Sequence, residues 1–512
     1  VTLIKKKQKP TKSQGEEKLH LSHLFPDAPL THDPVVTSLC EDTRRAQTGA
    51  IFFAHTGSKQ NGLAFIDDAI MRGCVAIVVP KDADLKNIPN TAPVIRVTNT
   101  RAALSHAAAI MYPGQPEHMV AITGTSGKTS TAYFVQQFLN LLEKRAVSIG
   151  TIGVAGAVTQ ELSLTTPEAP VLHNMLQTLA ASGITHAAIE ASSQAIIQHR
   201  LDDVNFSAAS FLNLSRDHLD YHDTMDNYFV AKARLFDELL PPGTPVILNA
   251  DDAYTPALMN ICAARGLQPI TFGAAPHADM RLVQHTLSPT GQDIIFTAGQ
   301  ATHQFHTTIA GTFQAMNIMA AMGLCCAMGL HIDDLVAVAP QIIAPPGRLQ
   351  PVTGHPAGAA IYVDYAHKPG ALENVLTALR AHNPNRLICV FGCGGDRDVG
   401  KRPLMGEIAA RLSDDVIITD DNPRSEDPAK IRAEIAAAAP RARNIGDRRL
   451  AIQTAISECQ SGDILVIAGK GHEQGQKFAT HTEPFDDLLV AEQAIQNLSS
   501  LLSAQNHQKA TS

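Results

Sequence analysis

Little in this 512-residue chain points towards a membrane, a nucleic acid or a disulfide-built scaffold. No run approaches the roughly 18 consecutive apolar residues that a membrane span needs. The first residues, Val1 to Lys18, are Lys-rich and polar, without the apolar stretch that a secretory signal places after its basic start. Excess positive charge is missing too. Forty-one Lys and Arg against 49 Asp and Glu leave a net charge of −8, which offers no bulk field to hold a polyanion and disfavours nucleic acid as the main partner. The eight cysteines, at 40, 74, 262, 325, 326, 389, 393 and 459, include no CxxC pair and no repeated metal-ligand spacing. They read as reduced core residues. Internal repeats and low-complexity stretches are absent beyond the polar termini. The expectation is a soluble, cytoplasmic, monomeric protein.

With 45% hydrophobic and 18% charged residues, the chain is too long for one core and too apolar for disorder, so about three domains are expected. Between polar tails at 1–23 and 506–512, the blocks divide at 24–117, 118–346 and 347–505. The first alternates apolar runs (Ala50 to Ala54, Val75 to Val79, Val94 to Val97) with helical patterns such as Leu63 to Arg72. The second opens on the buried-strand signature His118 to Ile122 and runs to the helix-like Phe313 to Gly329; Pro345-Pro346-Gly347 then breaks the chain. The third carries apolar runs at Ala360 to Val363, Leu387 to Phe391, Val416 to Thr419 and Ile464 to Ala468, with helical patterns at Pro403 to Leu412 and Ala429 to Ala439. Short apolar strands alternating with helices predict an α/β protein whose sheets are mostly parallel and covered on both faces. In such sheets ligands sit beyond the carboxyl ends of the strands, so chemistry is to be sought in the loops that follow them.

One such loop is Thr123-Gly124-Thr125-Ser126-Gly127-Lys128-Thr129-Ser130, between the first strand of the second block and the helix-like Ala132 to Leu142. Glycines let backbone N–H groups close on phosphate oxygens, the helix N-terminus favours the anion, Lys128 neutralises it and Thr129 can hold magnesium. The strict P-loop pattern GxxxxGK[ST] fails, because Ile122 stands where its first glycine belongs. A solvated Gly/Ser turn is the alternative, but it gives no reason for Lys-Thr at the helix entrance. Gly392-Cys393-Gly394-Gly395-Asp396-Arg397 only half-matches the dinucleotide fingerprint, since Arg397 takes the third glycine position, which argues against a nicotinamide enzyme.

From the phosphate-type loop onward the chain resembles the Mur ligases, ATP-dependent amide-forming enzymes of peptidoglycan precursor synthesis. The resemblance runs in order through Thr165-Thr166-Pro167, Glu190-Ala191-Ser192-Ser193, Asn213 to Asp220, Ala231 to Phe236, Gly311-Thr312-Phe313 with Asn317, and Gly347-Arg348. It continues through Asp364-Tyr365-Ala366-His367, Asp421-Asn422-Pro423-Arg424 and Gly469-Lys470-Gly471-His472-Glu473. It implies an N-terminal UDP-binding domain, a central P-loop-type ATPase domain and a C-terminal Rossmann-like domain that binds the amino acid. Departures are Gln194-Ala195 for the family's His-Gly, Gln314 for a common Asn, and Leu164 where some relatives have Asn.

The resemblance implies that a muramoyl-peptide carboxylate attacks the γ-phosphate of ATP to give an acyl-phosphate, which an amine then captures. The resemblance implies that the acceptor is UDP-N-acetylmuramoyl-L-alanyl-D-glutamate, and its DNPR run implies that the amine is meso-diaminopimelate, with Arg424 reading the distal carboxylate. A guanidinium suits that carboxylate, which is the group distinguishing diaminopimelate from lysine. Gly124 to Ser130, Asn317, Arg348 and Asp364 match ATP positions; Lys128 and magnesium bring two anions together, with Thr129, Glu190, His218 and a carbamylated Lys232 as implied metal ligands. Thr43, Ser58, Thr165, Thr166, Ser192, Gln198 and Arg200 match residues holding the muramoyl-peptide. Arg397, Asp421, Asn422, Pro423, Arg424, Gly469 and Glu473 match the amine site. Without the resemblance, Glu190 reads as a cap or surface residue, Lys232 as an exposed helix lysine, Asn317 as a helix-surface residue and Arg424 as a surface arginine after a turn. Four readings compete: a lysine-adding relative, weakened by DNPR; a folylpolyglutamate synthetase, weakened by the hundred or so residues before the loop; a nucleotide-gated binding protein that forms no bond; and a non-catalytic structural role, which leaves the clustered loop residues unexplained. Closure of the domains around the reaction, with a hinge near Pro345 to Gly347, is a further expectation.

Overall fold

A computed structural model describes residues 18–56, 61–84, 92–288 and 291–510, apart from the side chains of 220 and 505–510. Two compact units are present: the chain through Gln115 with Pro167–Ser182 and Gln194–Val204, and Pro116–Thr166 with Gly183–Ser193 and the rest of the chain from Asn205.

The first unit is built on a four-stranded parallel sheet in the order Ser38–Cys40, Ala50–Phe53, Ala76–Pro80, Val94–Val97. Its central strands are apolar at every position because both faces are covered. Ile51, Phe53, Ala76 and Val78 enter one core, while Ala50, Phe52, Ile77 and Val79 enter the other. Helix Thr100–Met111 begins where Asn99 Oδ1 accepts the N–H groups of Arg101 and Ala102, and it packs against helix Ala169–Ala181.

The second unit carries two larger sheets. In the ten-stranded sheet, His118–Thr123 lies between Ala208–Phe211 and His186–Glu190, all parallel, so the phosphate-type loop emerges from the sheet centre. Helix Thr312–Ala327 is apolar nearly all round and lies buried against helix Lys128–Leu141, as an unsided apolar helix must. The sheet ends in an antiparallel ribbon, Met280–Ser288, Gly291–Ala298 and Ala301–Thr307, whose last strand alternates buried and exposed residues because one face meets water. The six-stranded sheet runs Gln350–Val352, Ala360–Asp364, Ile464–Ala468, Leu387–Phe391, Asp415–Ile418, Arg443–Asn444, parallel except at its first strand. All eight cysteines are unpaired, and all but the partly buried Cys326 are buried, in line with reduced core residues.

Candidate active site

The phosphate-type loop has the backbone its glycines permit. Gly124 (φ 151°) and Gly127 (φ 88°) lie in the positive region, and Gly127 caps helix Lys128–Leu141. A Cβ on Gly127 would fall 2.4 Å from Asn317 Oδ1, so the loop and helix Thr312–Ala327 touch closely. The segment after strand Ala208–Phe211 braces the loop: Thr125 N–H donates to Asn213 O, and Ser126 N–H to Asn213 Oδ1, both at 2.9 Å. Asn317 is buried, not on the helix surface, and its Nδ2 donates to Gln314 Oε1 at 2.8 Å. Gln314, which departs from the family pattern, thus fixes the amide orientation of Asn317.

Two lysines converge on this loop. Lys128 Nζ donates to Gly124 O (2.8 Å) and Thr125 O (2.9 Å), and Lys232 Nζ also donates to Gly124 O at 2.8 Å. Lys232, which sequence alone would leave on the surface, is 1% exposed. Its helix, Met225–Arg234, turns that face inward and ends in a π-helical turn, Leu235–Leu239; the ammonium lies 4.5 Å from the Tyr228 ring centre. Burial, then the neighbouring Lys128, hold the Lys232 pKa well below the ordinary lysine value. Burial also lowers that of Lys128, against the pull of Glu190 and Asp217.

Glu190 ends strand His186–Glu190 and is 1% exposed, so it is not a surface residue. Its carboxylate accepts Thr151 N–H at 2.8 Å and Thr151 Oγ1–H at 3.3 Å. Thr151 Oγ1 lies 3.1 Å from Thr165 Oγ1; Thr166 Oγ1 donates to Glu190 O at 2.6 Å and lies 3.2 Å from Ser192 Oγ. Glu190, Thr165, Thr166 and Ser192 therefore form one connected cluster. Thr151 ties it together, although nothing in the sequence singles Thr151 out. His218 is half-exposed, in a left-handed conformation (φ 52°), with Nε2 3.6 Å from Asp217 Oδ2. Thr129 is buried in the first turn after the loop, and Ser130 beside it.

Gln198, Arg200 and Thr43 belong to the first unit. Arg200 Nη2 donates to Gln198 Oε1 at 2.6 Å, and both line a cleft with Glu41, Arg101, Leu104, Glu168 and Ala169. Thr43 is buried in a 3-10 turn capped by Asp42. Ser58 lies outside the described residues.

The third cluster gathers at the carboxyl ends of the six-stranded sheet. Asp364 is buried at a strand end, where Oδ2 accepts Leu349 N–H (2.7 Å) and Oδ1 accepts Ala366 N–H (2.8 Å). Burial raises its pKa, against the Arg348 charge. Arg348 lies over the Tyr365 ring and His472 packs beside it, yet Arg348 Nε and His472 Nδ1 are buried without a hydrogen-bond partner. Buried polar atoms left open in this way suit a site that a polar ligand completes. Asn422 Nδ2 donates to Glu473 Oε2 (2.8 Å) while its Oδ1 accepts Lys470 Nζ (3.0 Å) and Lys477 N–H (2.9 Å). Lys470, fully buried, also lies 3.5 Å from Asp421 Oδ1 and 3.4 Å from Glu473. Burial opposes ionisation of Glu473, but Asn422 and Lys470 outweigh it and hold its pKa below the usual value. Gly469 (φ 117°) opens that loop. Arg424 (φ 52°) follows Pro423 and donates from Nη1 to Gly395 O at 2.7 Å, and Arg397 is exposed on the facing loop.

A nucleotide-type loop on a parallel sheet, joined in one chain to a Rossmann-like sheet with its own strand-end cluster, defines a class. The Mur ligase middle domain matches residues 122–325 and the Mur ligase glutamate ligase domain residues 347–471. The chain belongs to the Mur ligase family, the ATP-dependent amide-forming ligases.

Within that family it is similar to a particular set of enzymes. It is 45% identical over 485 residues, 93% of this chain and 99% of the relative, to the UDP-N-acetylmuramoyl-L-alanyl-D-glutamate–2,6-diaminopimelate ligase of Caulobacter vibrioides. The identity to the enzyme of the same name from Brucella melitensis biotype 1 is 47%, covering 88% of this chain and 92% of the relative. A solved structure of a ligase of that name superposes with a TM-score of 0.72 at 31% identity, covering 94% of this chain and 99% of the other.

Proposed function

We propose that this ligase joins meso-2,6-diaminopimelate to the D-glutamate γ-carboxylate of UDP-N-acetylmuramoyl-L-alanyl-D-glutamate. It consumes ATP through an acyl-phosphate and releases ADP and phosphate, as a step of peptidoglycan precursor synthesis. The observation that carries the reading is identity near 45% along almost the whole chain to ligases of that name. Three clusters support it: the lysine-bearing phosphate-type loop, the Glu190 threonine cluster and the strand-end group around Asn422. The reaction brings two anions together, and Lys128 is the cation aimed into the loop that would receive them. The hydroxyls of Thr165, Thr166 and Ser192 suit the acceptor's carboxylates and amides; Asn317, Arg348 and Asp364 suit the nucleotide.

Magnesium fits these residues. Among the described residues no three His, Cys, Asp or Glu side chains form a metal cage, and magnesium prefers one or two protein oxygens together with substrate phosphates. Glu190, a buried carboxylate, and Thr129 are hard oxygen donors beside the loop; Lys232 as a carbamate, and His218, would complete the set. When bound, the ion would neutralise phosphate charge. Burial and the neighbouring Lys128 shift the Lys232 pKa downward, towards the neutral amine, which is the form that adds carbon dioxide.

Arg397 and Arg424 would meet the carboxylates of the amine substrate, and Glu473, held ionised, its ammonium. No described helix is long and apolar enough to cross a membrane. The reaction is read as cytoplasmic because its proposed substrates are water-soluble nucleotides. Phosphate release tests the reading: it should require both the muramoyl-dipeptide and diaminopimelate. Release indifferent to diaminopimelate would favour a nucleotide-driven switch.

A further inference from the structure

Arg424 and Arg397 stand on different loops, after the neighbouring parallel strands Asp415–Ile418 and Leu387–Phe391. Reading one small dicarboxylate between them demands that the spacing of the two loops be fixed. Backbone preference does not fix it, since Asp396 and Arg424 both hold left-handed conformations (φ 54° and 52°) that are uncommon outside glycine, more so for arginine than for aspartate. Beneath the loops lies Arg402, on helix Lys401–Leu412, 1% exposed and among the largest fully buried side chains.

Arg402 Nη2 meets both oxygens of Glu426 at 2.9 Å and lies 3.4 Å from Gly394 O, while Nη1 donates to Glu434 at 2.7 Å. Glu426 in turn accepts Asp396 N–H at 2.5 Å, and Asp396 accepts the Ser425 hydroxyl at 2.5 Å. A chain of charge-assisted bonds thus runs from the buried guanidinium through Glu426 into the residue just before Arg397, and back to the residue just after Arg424. The approach leaves no slack: a Cβ on Gly395 would fall 2.0 Å from Pro423 O, and one on Gly394 would fall 2.8 Å from Arg424 Nη1.

We propose that Arg402, acting through Glu426, is a positioning residue that sets the separation of Arg397 and Arg424 and thereby the enzyme's selectivity for a dicarboxylic diamine over a monocarboxylic one. It touches no substrate. The inference rests on the amine-binding role proposed above for the two arginines. Glu434 supplies an internal control, because it pairs with the same guanidinium but carries no bond to either loop among those described for it. A purely structural role for Arg402 makes Glu426 and Glu434 equivalent; a positioning role does not.

The test is steady-state kinetics of the full-length enzyme with meso-diaminopimelate and with L-lysine, for Glu426→Gln, Glu434→Gln and Arg402→Lys. Glu426→Gln and Arg402→Lys should raise KM for diaminopimelate at least tenfold and narrow its advantage over lysine by a similar factor, with KM for ATP within about twofold. Glu434→Gln should leave both near their starting values. If Arg402→Lys fails to fold, the two glutamate variants decide. Equal effects of Glu426→Gln and Glu434→Gln, or no change in diaminopimelate KM, would overturn the positioning role. If the unaltered enzyme incorporated no diaminopimelate, the substrate reading would fall first and the positioning role with it.

Discussion

Replacing Lys232 by methionine separates a chemical role from a structural one. Methionine keeps the apolar stem and approximate volume, so the packing of a side chain that is 1% exposed is largely preserved. What goes is one hydrogen bond to Gly124 O, about 1 kcal/mol, and the contact with the Tyr228 ring, about 0.5–2 kcal/mol. Against this loss stands relief from burying an amine that forms no ion pair with a carboxylate among the described residues, so net stability should change by no more than about 1 kcal/mol. Activity should fall by about 10²–10³-fold, the usual effect of removing one preorganised electrostatic group. The pH dependence gives a second check. The folded pKa of Lys232 is depressed, so between that value and the unfolded value of about 10.4 the unfolded chain binds more protons, and stability rises with pH. The variant should lose part of that rise. Urea denaturation at several pH values, paired with phosphate release, measures both effects. Near-normal turnover, or a loss of stability large enough to account for the lost activity, would refute the reasoning.

Gly127→Ala places a methyl group 2.4 Å from Asn317 Oδ1 at φ 88°, a left-handed conformation costing about 1–2 kcal/mol outside glycine; KM for ATP should rise at least about tenfold while the circular dichroism of the fold is kept. Arg424→Lys cannot both hold Gly395 O and present a planar fork, so kcat/KM for diaminopimelate should fall by about 10–100-fold, and that for lysine far less. Arg448→Met leaves Asp487, its fully buried partner at 2.7 Å, unpaired; the urea midpoint should drop in keeping with about 3–5 kcal/mol, and Asp487→Leu in the same chain should recover most of it.

Much of this was legible in the sequence because the signals are local. The strand, loop and helix around Gly124 to Ser130 are written in consecutive residues, and so are the Asp421 to Arg424 turn and the apolar strands of the six-stranded sheet. Residues whose meaning depends on distant partners were not legible. Lys232 and Glu190 looked like surface residues because nothing nearby in sequence tells that their faces turn inward. Thr151, Lys470 and Arg402 act by contacts with residues 39, 48 and 24 positions away. The antiparallel ribbon from Met280 to Thr307 also escaped notice, since its polar outer face breaks up the apolar runs that mark the parallel strands. Gln314 looked like a departure and acts as the partner of Asn317, a role visible only once both lie on one helix face.

The most direct test of the central claim is the mass of the nucleotide product formed from ATP, UDP-N-acetylmuramoyl-L-alanyl-D-glutamate and an equimolar mixture of meso-diaminopimelate and L-lysine. The product should have gained a single diaminopimelyl residue, with one phosphate released for each molecule formed. Gain of lysine instead would contradict the assignment of the amine site, and phosphate release with no change in the nucleotide's mass would contradict ligation itself.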